Sequence, residues 1–223
     1  MTFVYTLTTW IIPLFLCVIL HEIAHGYVAY RLGDKTAWLM GRLTFNPEKH
    51  IDPIGSIVVP LLLFLTSYQS EYPIVFGWAK PVPVDFAKLH NPKRDMGLVA
   101  VAGPLANVLL AVALVLLAHV FDWVLPAEWG GTIWIFENIK NAISCSILLA
   151  SFNLFPLLPM DGGRILESIL PMKWAVRYHQ TEKYGLFILF GLILAPYVLG
   201  VDIIHLFVGT LYPMFIRFIG IFW

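Results

Sequence analysis

The chain has 223 residues, of which 59% are hydrophobic and 13% charged, with equal numbers of acidic and basic side chains. Charged residues make up roughly a quarter of an ordinary soluble domain, so this composition excludes a water-soluble globule and indicates an all-α polytopic membrane protein. A formal net charge of zero gives no electrostatic footprint for nucleic acid or for an acidic partner.

The opening MTFVYTLTTW has neither a basic leader region nor a small-residue cleavage site, and reads as the start of a retained first span. That helix is predicted from near Trp10 to Leu32, with Pro13 accommodated in its first turn and Gly33 ending it. Residues 36–45, TAWLMGRLTF, mix β-branched, aromatic and glycine residues and predict an extended strand. NPEKHIDPIG is a polar, proline-punctuated turn, and its His50 and Asp52 read as solvated interfacial groups before any second-layer or gating role. Residues 54–68 are apolar but short and broken by Pro60, which fits a short span or a re-entrant hairpin. GWAKPVPVDF (77–86) has prolines too closely spaced for a helix and is extended.

Residues 97–121 contain no formal charge and form the clearest membrane span, followed by the loop DWVLPAEWGG. A helix over 134–157 and closing spans at 184–199 and 203–222 complete the reading. Cys17 and Cys145 sit in apolar runs and are read as packing residues. Trp10, Trp123, Trp129 and Trp223 near span ends suit an interfacial aromatic belt. No repeat or soluble insertion is visible, so residues 1–223 are taken as one membrane domain.

The chemistry concentrates in HEIAH, residues 21–25, at the end of the first apolar run. Positions i and i+4 share a helical face, so His21 and His25 can reach one metal ion, and Glu22 is placed to activate a water there. Ionisable groups at membrane depth are rare and mark function. A catalytic zinc generally takes three protein ligands and keeps one position open. Asp161 is the candidate third ligand: it follows an apolar helix and precedes Gly162 and Gly163, which permit close backbone approach.

HEIAH (21–25), GPLAN (103–107) and NLFPLLPMDGGR (153–164), in that order, resemble the three motifs of the site-2 protease family of intramembrane zinc metalloproteases. GRLTFNPEKHIDPIG and FGWAKPVPVD resemble its compact prokaryotic branch. The resemblance implies zinc held by His21, His25 and Asp161, Glu22 as the water-activating base, and Asn107 and Asn153 near bound substrate. It implies transmembrane proteins as substrates and a multi-pass location in a prokaryotic cytoplasmic membrane. No room exists for a PDZ domain between the first and third motifs, and no C-terminal nucleotide-sensing domain is recognised, so regulation through those domains is not expected.

Basic residues favour the cytoplasmic side. Arg31, Lys35, Arg42 and Lys49 follow the first helix, and Arg164, Lys173, Arg177 and Lys183 follow Asp161. If residues 54–68 crossed fully, Asp161 would lie across a core about 30 Å thick from His25. One ion cannot bind both, so the expected topology has about five crossings plus one re-entrant element, with the site in the cytoplasmic half. A small extended or β segment would lie near the site, and strand 36–45 could pair with unwound substrate. The rival reading is a non-catalytic metal-site membrane protein, either a scaffold or a transporter. A transporter would favour two related halves with broken helices, which the sequence lacks.

Overall fold

In the computed structural model, which describes residues 3–59, 61–62, 65, 77–126 and 129–220, regular structure is helical and no β-strand occurs among the described residues. The helices are α1 (Phe3–Arg31), a single-turn α2 (Thr36–Leu39), α3 (Pro92–Val124), α4 (Gly130–Asn153), α5 (Asp161–Ile169), α6 (Met172–His179), α7 (Glu182–Leu199) and α8 (Ile203–Ile219). Four are long and apolar enough to cross a membrane: α1 from Thr8, α3, α4 and α7; α8 is apolar but shorter.

The first helix begins earlier than expected, which puts Pro13 in its interior. Proline has no N–H to give the carbonyl four residues back, and that carbonyl, on Thr9, accepts instead from Asn141 Nδ2 of α4 at 2.8 Å. Thr8 Oγ1 accepts from Trp134 Nε1 at 3.1 Å, and Cys17 Sγ lies 3.1 Å from Ser146 Oγ. These contacts rise together along both helices, so α1 and α4 run parallel. α3 runs against them, since His25 meets Val99 while the earlier His21 meets the later Asn107. Ala111, Leu114, Val115 and Ala118 of α3 then pack on Ile139, Ala142, Ile143 and Ile147 of α4. Opposite faces stay bare: Leu105, Leu109, Leu116 and Phe187 are all more than half exposed. Apolar exposure on this scale suits lipid as the surrounding solvent.

Three expectations need correction. Residues 36–45 are not a strand. The Asp34 carboxylate accepts from the amide and hydroxyl of Thr36, Met40 N–H donates to Thr36 O, and Arg42 N–H donates to Ala37 O. These local bonds wind the segment into a turn of helix closed by Gly41 at φ 63°, overriding its β propensity. The non-helical backbone beside the site is 77–85, which forms no strand and meets Glu22 through Val82. His50 is not solvated but 2% exposed, with Nε2 donating to Thr44 O at 2.8 Å; Asp52 caps the π-helical turn Pro53–Val58.

The third correction concerns the closing helices. Phe207 meets Phe155 edge to face just past the end of α4, with ring centroids 5.1 Å apart, whereas Ile219 belongs to the buried α3–α4 cluster that runs from Ile139 to Ile147. α8 therefore runs antiparallel to α4 and starts at the end where α7 also starts, Gly185 lying against Leu158 and Ile204 packing with Leu157 and Leu189, whereas a plain up-and-down pair would have it start at the opposite end. Hydropathy measures how apolar a segment is and carries no information on which end meets which neighbour. Residues 60, 63, 64 and 66–68 of the 54–68 segment, where crossing or re-entry would be decided, lie outside the described residues. Its flanks meet, however: Trp78 N–H donates to Gly55 O at 3.0 Å and Lys80 N–H to His50 O at 2.9 Å. The backbone at 78–80 thus lies beside 50–55, and His90 N–H donates to Leu32 O at 2.9 Å, so the start of α3 adjoins the end of α1.

Candidate metal centre

His21 and His25 project from one face of α1 toward Asp161, the first residue of α5. The two Nε2 atoms are 3.0 Å apart; His21 Nε2 is 3.2 Å from Asp161 Oδ2, and His25 Nε2 is 3.2 Å from Asp161 Oδ1. The imidazoles are 5% and 9% exposed. His25 Nδ1 sits 2.7 Å from the Val99 carbonyl, an acceptor, which places the ring proton on Nδ1 and a lone pair on Nε2. Four lone-pair atoms, two imidazole nitrogens and both carboxylate oxygens, facing one another this closely repel unless a cation lies among them. Ligands about 2.0–2.1 Å from a tetrahedral zinc are roughly 3.3 Å from one another; the Nε2–Nε2 pair and each imidazole with its nearer carboxylate oxygen are close to this, and one ligand atom from each residue lies within 4.8 Å of the others. Asp161 Oδ2 has no hydrogen-bond partner, its contact with His21 being near but not aligned for one. The donor set fits zinc.

His21 is oriented from behind. Its Nδ1 lies 3.2 Å from Asn107 Nδ2, and Asn107 is completely buried with Oδ1 unpartnered. The two ends of a carboxamide have the same shape, and the network decides between them. With the amide turned over, Oδ1 accepts the Nδ1 proton of His21 and frees Nε2 for the ion. Val99, Gly103 and Asn107 are spaced four apart along α3 and so share a face. A Cβ at Gly103 would stand 2.4 Å from His25 Nε2 and 2.6 Å from His21 Cε1. Only glycine leaves room for both rings.

Asp161 is placed by the chain before it. Helix α4 ends at Asn153, and the following loop is crowded by α5: a Cβ at Gly162 would meet Leu154 O at 2.1 Å, and one at Gly163 would meet Leu158 N at 2.5 Å. The paired glycines let the first turn of α5 lie on that loop, with Asp161 facing α1.

The cluster opens on a cavity of about 290 Å³ lined by Glu22, Asn153 and Arg164 with Val82, Val84, Phe86, Val99 and Ala100. Glu22 Oε2 accepts the Val82 N–H at 2.6 Å. Asn153 borders the cavity while its Nδ2 bonds Leu149 O at 3.0 Å; Asn107 does not border it. Arg164 is neutralised by ion pairs to Glu167 and Glu182. His50, Asp52, His90, His119, His179 and His205 stand outside the metal cluster. Sequence reasoning missed the roles of Gly103 and Val82. The first sits within a quoted motif and was legible as a small residue facing HEIAH; the second depends on a fold-back that no local pattern announces.

The sequence profile described as peptidase family M50 matches residues 9–141 and 132–196. The chain is similar to YwhC of Bacillus subtilis, with 36% identity over 189 residues covering 83% of this chain and 80% of the relative. It is similar to Rip2 of Mycobacterium tuberculosis, with 30% identity over 216 residues, 96% of this chain and 73% of the relative. It also resembles MJ0392 of Methanocaldococcus jannaschii, 26% identical over 163 residues, 73% of this chain and 34% of that relative. MJ0392 carries the name zinc metalloprotease, and YwhC and Rip2 carry it in provisional form. No solved structure gives a significant match.

Proposed function

The chain belongs to peptidase family M50, and we propose that it cleaves peptide bonds within or beside the membrane-spanning segments of other proteins, from the cytoplasmic half of the bilayer. It is a zinc-dependent metallopeptidase of a membrane protease family. The observation that carries the reading is the convergence of His21, His25 and Asp161 beside Glu22 in one cavity at the ends of apolar helices. When bound, zinc supplies Lewis acidity, lowering the pKa of a water to about 7 and polarising a carbonyl. His21, His25 and Asp161 would hold the ion, with Asn107 and the Val99 carbonyl fixing the two rings, and Glu22 would take a proton from the attacking water and return it to the leaving amine.

A helix hides its amides in i to i+4 bonds, so substrate must unwind locally before attack. The apolar walls at Val82, Val84, Phe86, Val99 and Ala100 suit an unwound apolar segment, and Asn153 offers it a polar partner. The basic residues after α1 and after Asp161 support a cytoplasmic position for the site end. The meeting of residues 50–55 with 78–80 supports re-entry between α1 and α3.

The test is co-expression with doubly tagged single-span membrane proteins, comparing wild type with Glu22→Gln. A fragment formed by wild type, suppressed by a zinc chelator and lost in Glu22→Gln while that variant still binds zinc is the expected result. Equal fragments from both forms overturn it and leave the metal-binding scaffold.

A further inference from the structure

We propose that the Val82 backbone amide, clamped by Arg42, is the device that aims the Glu22 carboxylate, making Arg42 and Val82 positioning residues for the reaction. The inference rests on Glu22 acting as the base, as proposed above. Val82 N–H donates to Glu22 Oε2 at 2.6 Å, which leaves Oε1 as the oxygen free to take a proton. A carboxylate on a two-torsion stem would otherwise sample several rotamers, and a base works only within hydrogen-bond reach of the proton it removes.

The segment bearing that amide is held from several sides. Arg42 Nη2 donates to Lys80 O at 2.9 Å and to Pro81 O at 3.1 Å, using both of its protons on consecutive carbonyls. Arg42 is 6% exposed, its Nε has no partner, and no carboxylate pairs with it among the described residues. A buried guanidinium without a counter-charge is costly to keep, so its fixed fork has a specific task here, and the two carbonyls are that task. Lys80 N–H donates to His50 O, and Asp85 N–H donates to Asp34 Oδ2 at 2.7 Å, pinning the far end. On α1, Gly26 follows His25 directly. A Cβ there would meet Leu43 Cδ2 at 2.5 Å and Val82 Cγ1 at 2.8 Å, so the glycine lets Val82 close onto the helix.

Pro81 and Pro83 carry no N–H, so Val82 supplies the single exchangeable backbone proton of residues 81–83. That permits a readout independent of turnover. Hydrogen–deuterium exchange on the purified full-length chain, free of metal, compares wild type, Glu22→Ala, Arg42→Met and Arg42→Lys. Loss of the acceptor or of the clamp raises Val82 exchange about tenfold. With zinc bound and fluorescent casein as the probe substrate, Arg42→Met lowers kcat about tenfold with KM and zinc content little changed, and Arg42→Lys recovers part of the loss.

A Val82 amide that exchanges as fast in wild type as in Glu22→Ala overturns the inference, as does an Arg42→Met enzyme with wild-type kcat. If Arg42→Met does not fold, the Glu22→Ala exchange comparison decides alone. Should wild type with zinc fail to cut casein while Glu22 still protects Val82, the protease reading is what suffers and the contact stands.

Discussion

Gly103→Ala is the sharpest single perturbation of the metal centre. In an exposed helix this change would stabilise by about 0.5–1 kcal/mol, because alanine loses less freedom on folding. Here the added methyl would stand 2.4 Å from His25 Nε2 and 2.6 Å from His21 Cε1, whereas ordinary van der Waals contact begins at 3.4 Å. The rings must retreat by about 1 Å or α1 and α3 must part, yet metal–ligand distances tolerate only about ±0.2 Å. Retreat is opposed by the bonds from His25 Nδ1 to Val99 O and from His21 Nδ1 to Asn107. Overpacking of this kind costs about 1–3 kcal/mol, which as binding energy is a five- to 150-fold weaker zinc affinity. The assay is competition for zinc against a colorimetric chelator in detergent, with thermal melts of the metal-free proteins alongside. Gly191→Ala is the control, since a Cβ there meets nothing within 4 Å. A Gly103→Ala protein with wild-type zinc affinity would refute the placement of both imidazoles against α3.

Asn107→Ala removes the group that fixes the His21 ring and should weaken zinc binding about 10–100-fold, read in the same competition; an unchanged affinity would mean the ring is held by packing alone. Asp34 should govern part of the acid stability. It is fully buried, which works to raise its pKa, but the hydroxyl and amide of Thr36, the amide of Asp85 and the Lys88 ammonium hold it below the usual carboxyl range. A folded pKa below the unfolded value of about 3.9 means the stabilisation is complete above that pH and is lost as pH falls through the folded value. Asp34→Asn should lower Tm near neutrality and flatten its decline below pH ~4; an acid limb as steep as that of wild type would assign the effect to other carboxyls.

The metal trio was legible because its determinants are local. An i, i+4 histidine pair needs only a helix, and an acid followed by Gly162 and Gly163 after an apolar run announces a tight approach. The meeting of His25 with Asp161 was legible too, because a shared site requires the ends of their helices to lie together. What sequence reasoning got wrong had non-local or side-chain causes. TAWLMGRLTF has strand-forming residues, but Asp34, two positions upstream, accepts from Thr36 and turns the chain. Arg42 reads as an interfacial basic residue until the fold-back brings Lys80 and Pro81 to it. The spans at 184–199 and 203–222 were drawn as a closing pair because both are apolar, yet the direction of α8 is set by Phe155 and by the α3–α4 core.

Packed helices run about 8–10 Å apart, too close for two imidazoles and an ion unless side-chain atoms are removed from the contact. The deletions fall on both sides of the HEIAH turn. Gly103 on α3 clears the ring side, and Gly26 on α1 clears the side where Val82 enters. With those volumes open, the groups that hold the polar cluster come from the backbone and one carboxamide: the Val99 carbonyl on His25, Asn107 on His21 and the Val82 amide on Glu22. His21, His25 and Asn107 are buried, and buried polar groups must be bonded internally. Each bond that makes the buried cluster tolerable also fixes a ring or a carboxylate in one orientation. Solvation and alignment are therefore a single requirement here, and a substitution that breaks one of these contacts should lower zinc affinity or turnover in step with the exposure it creates.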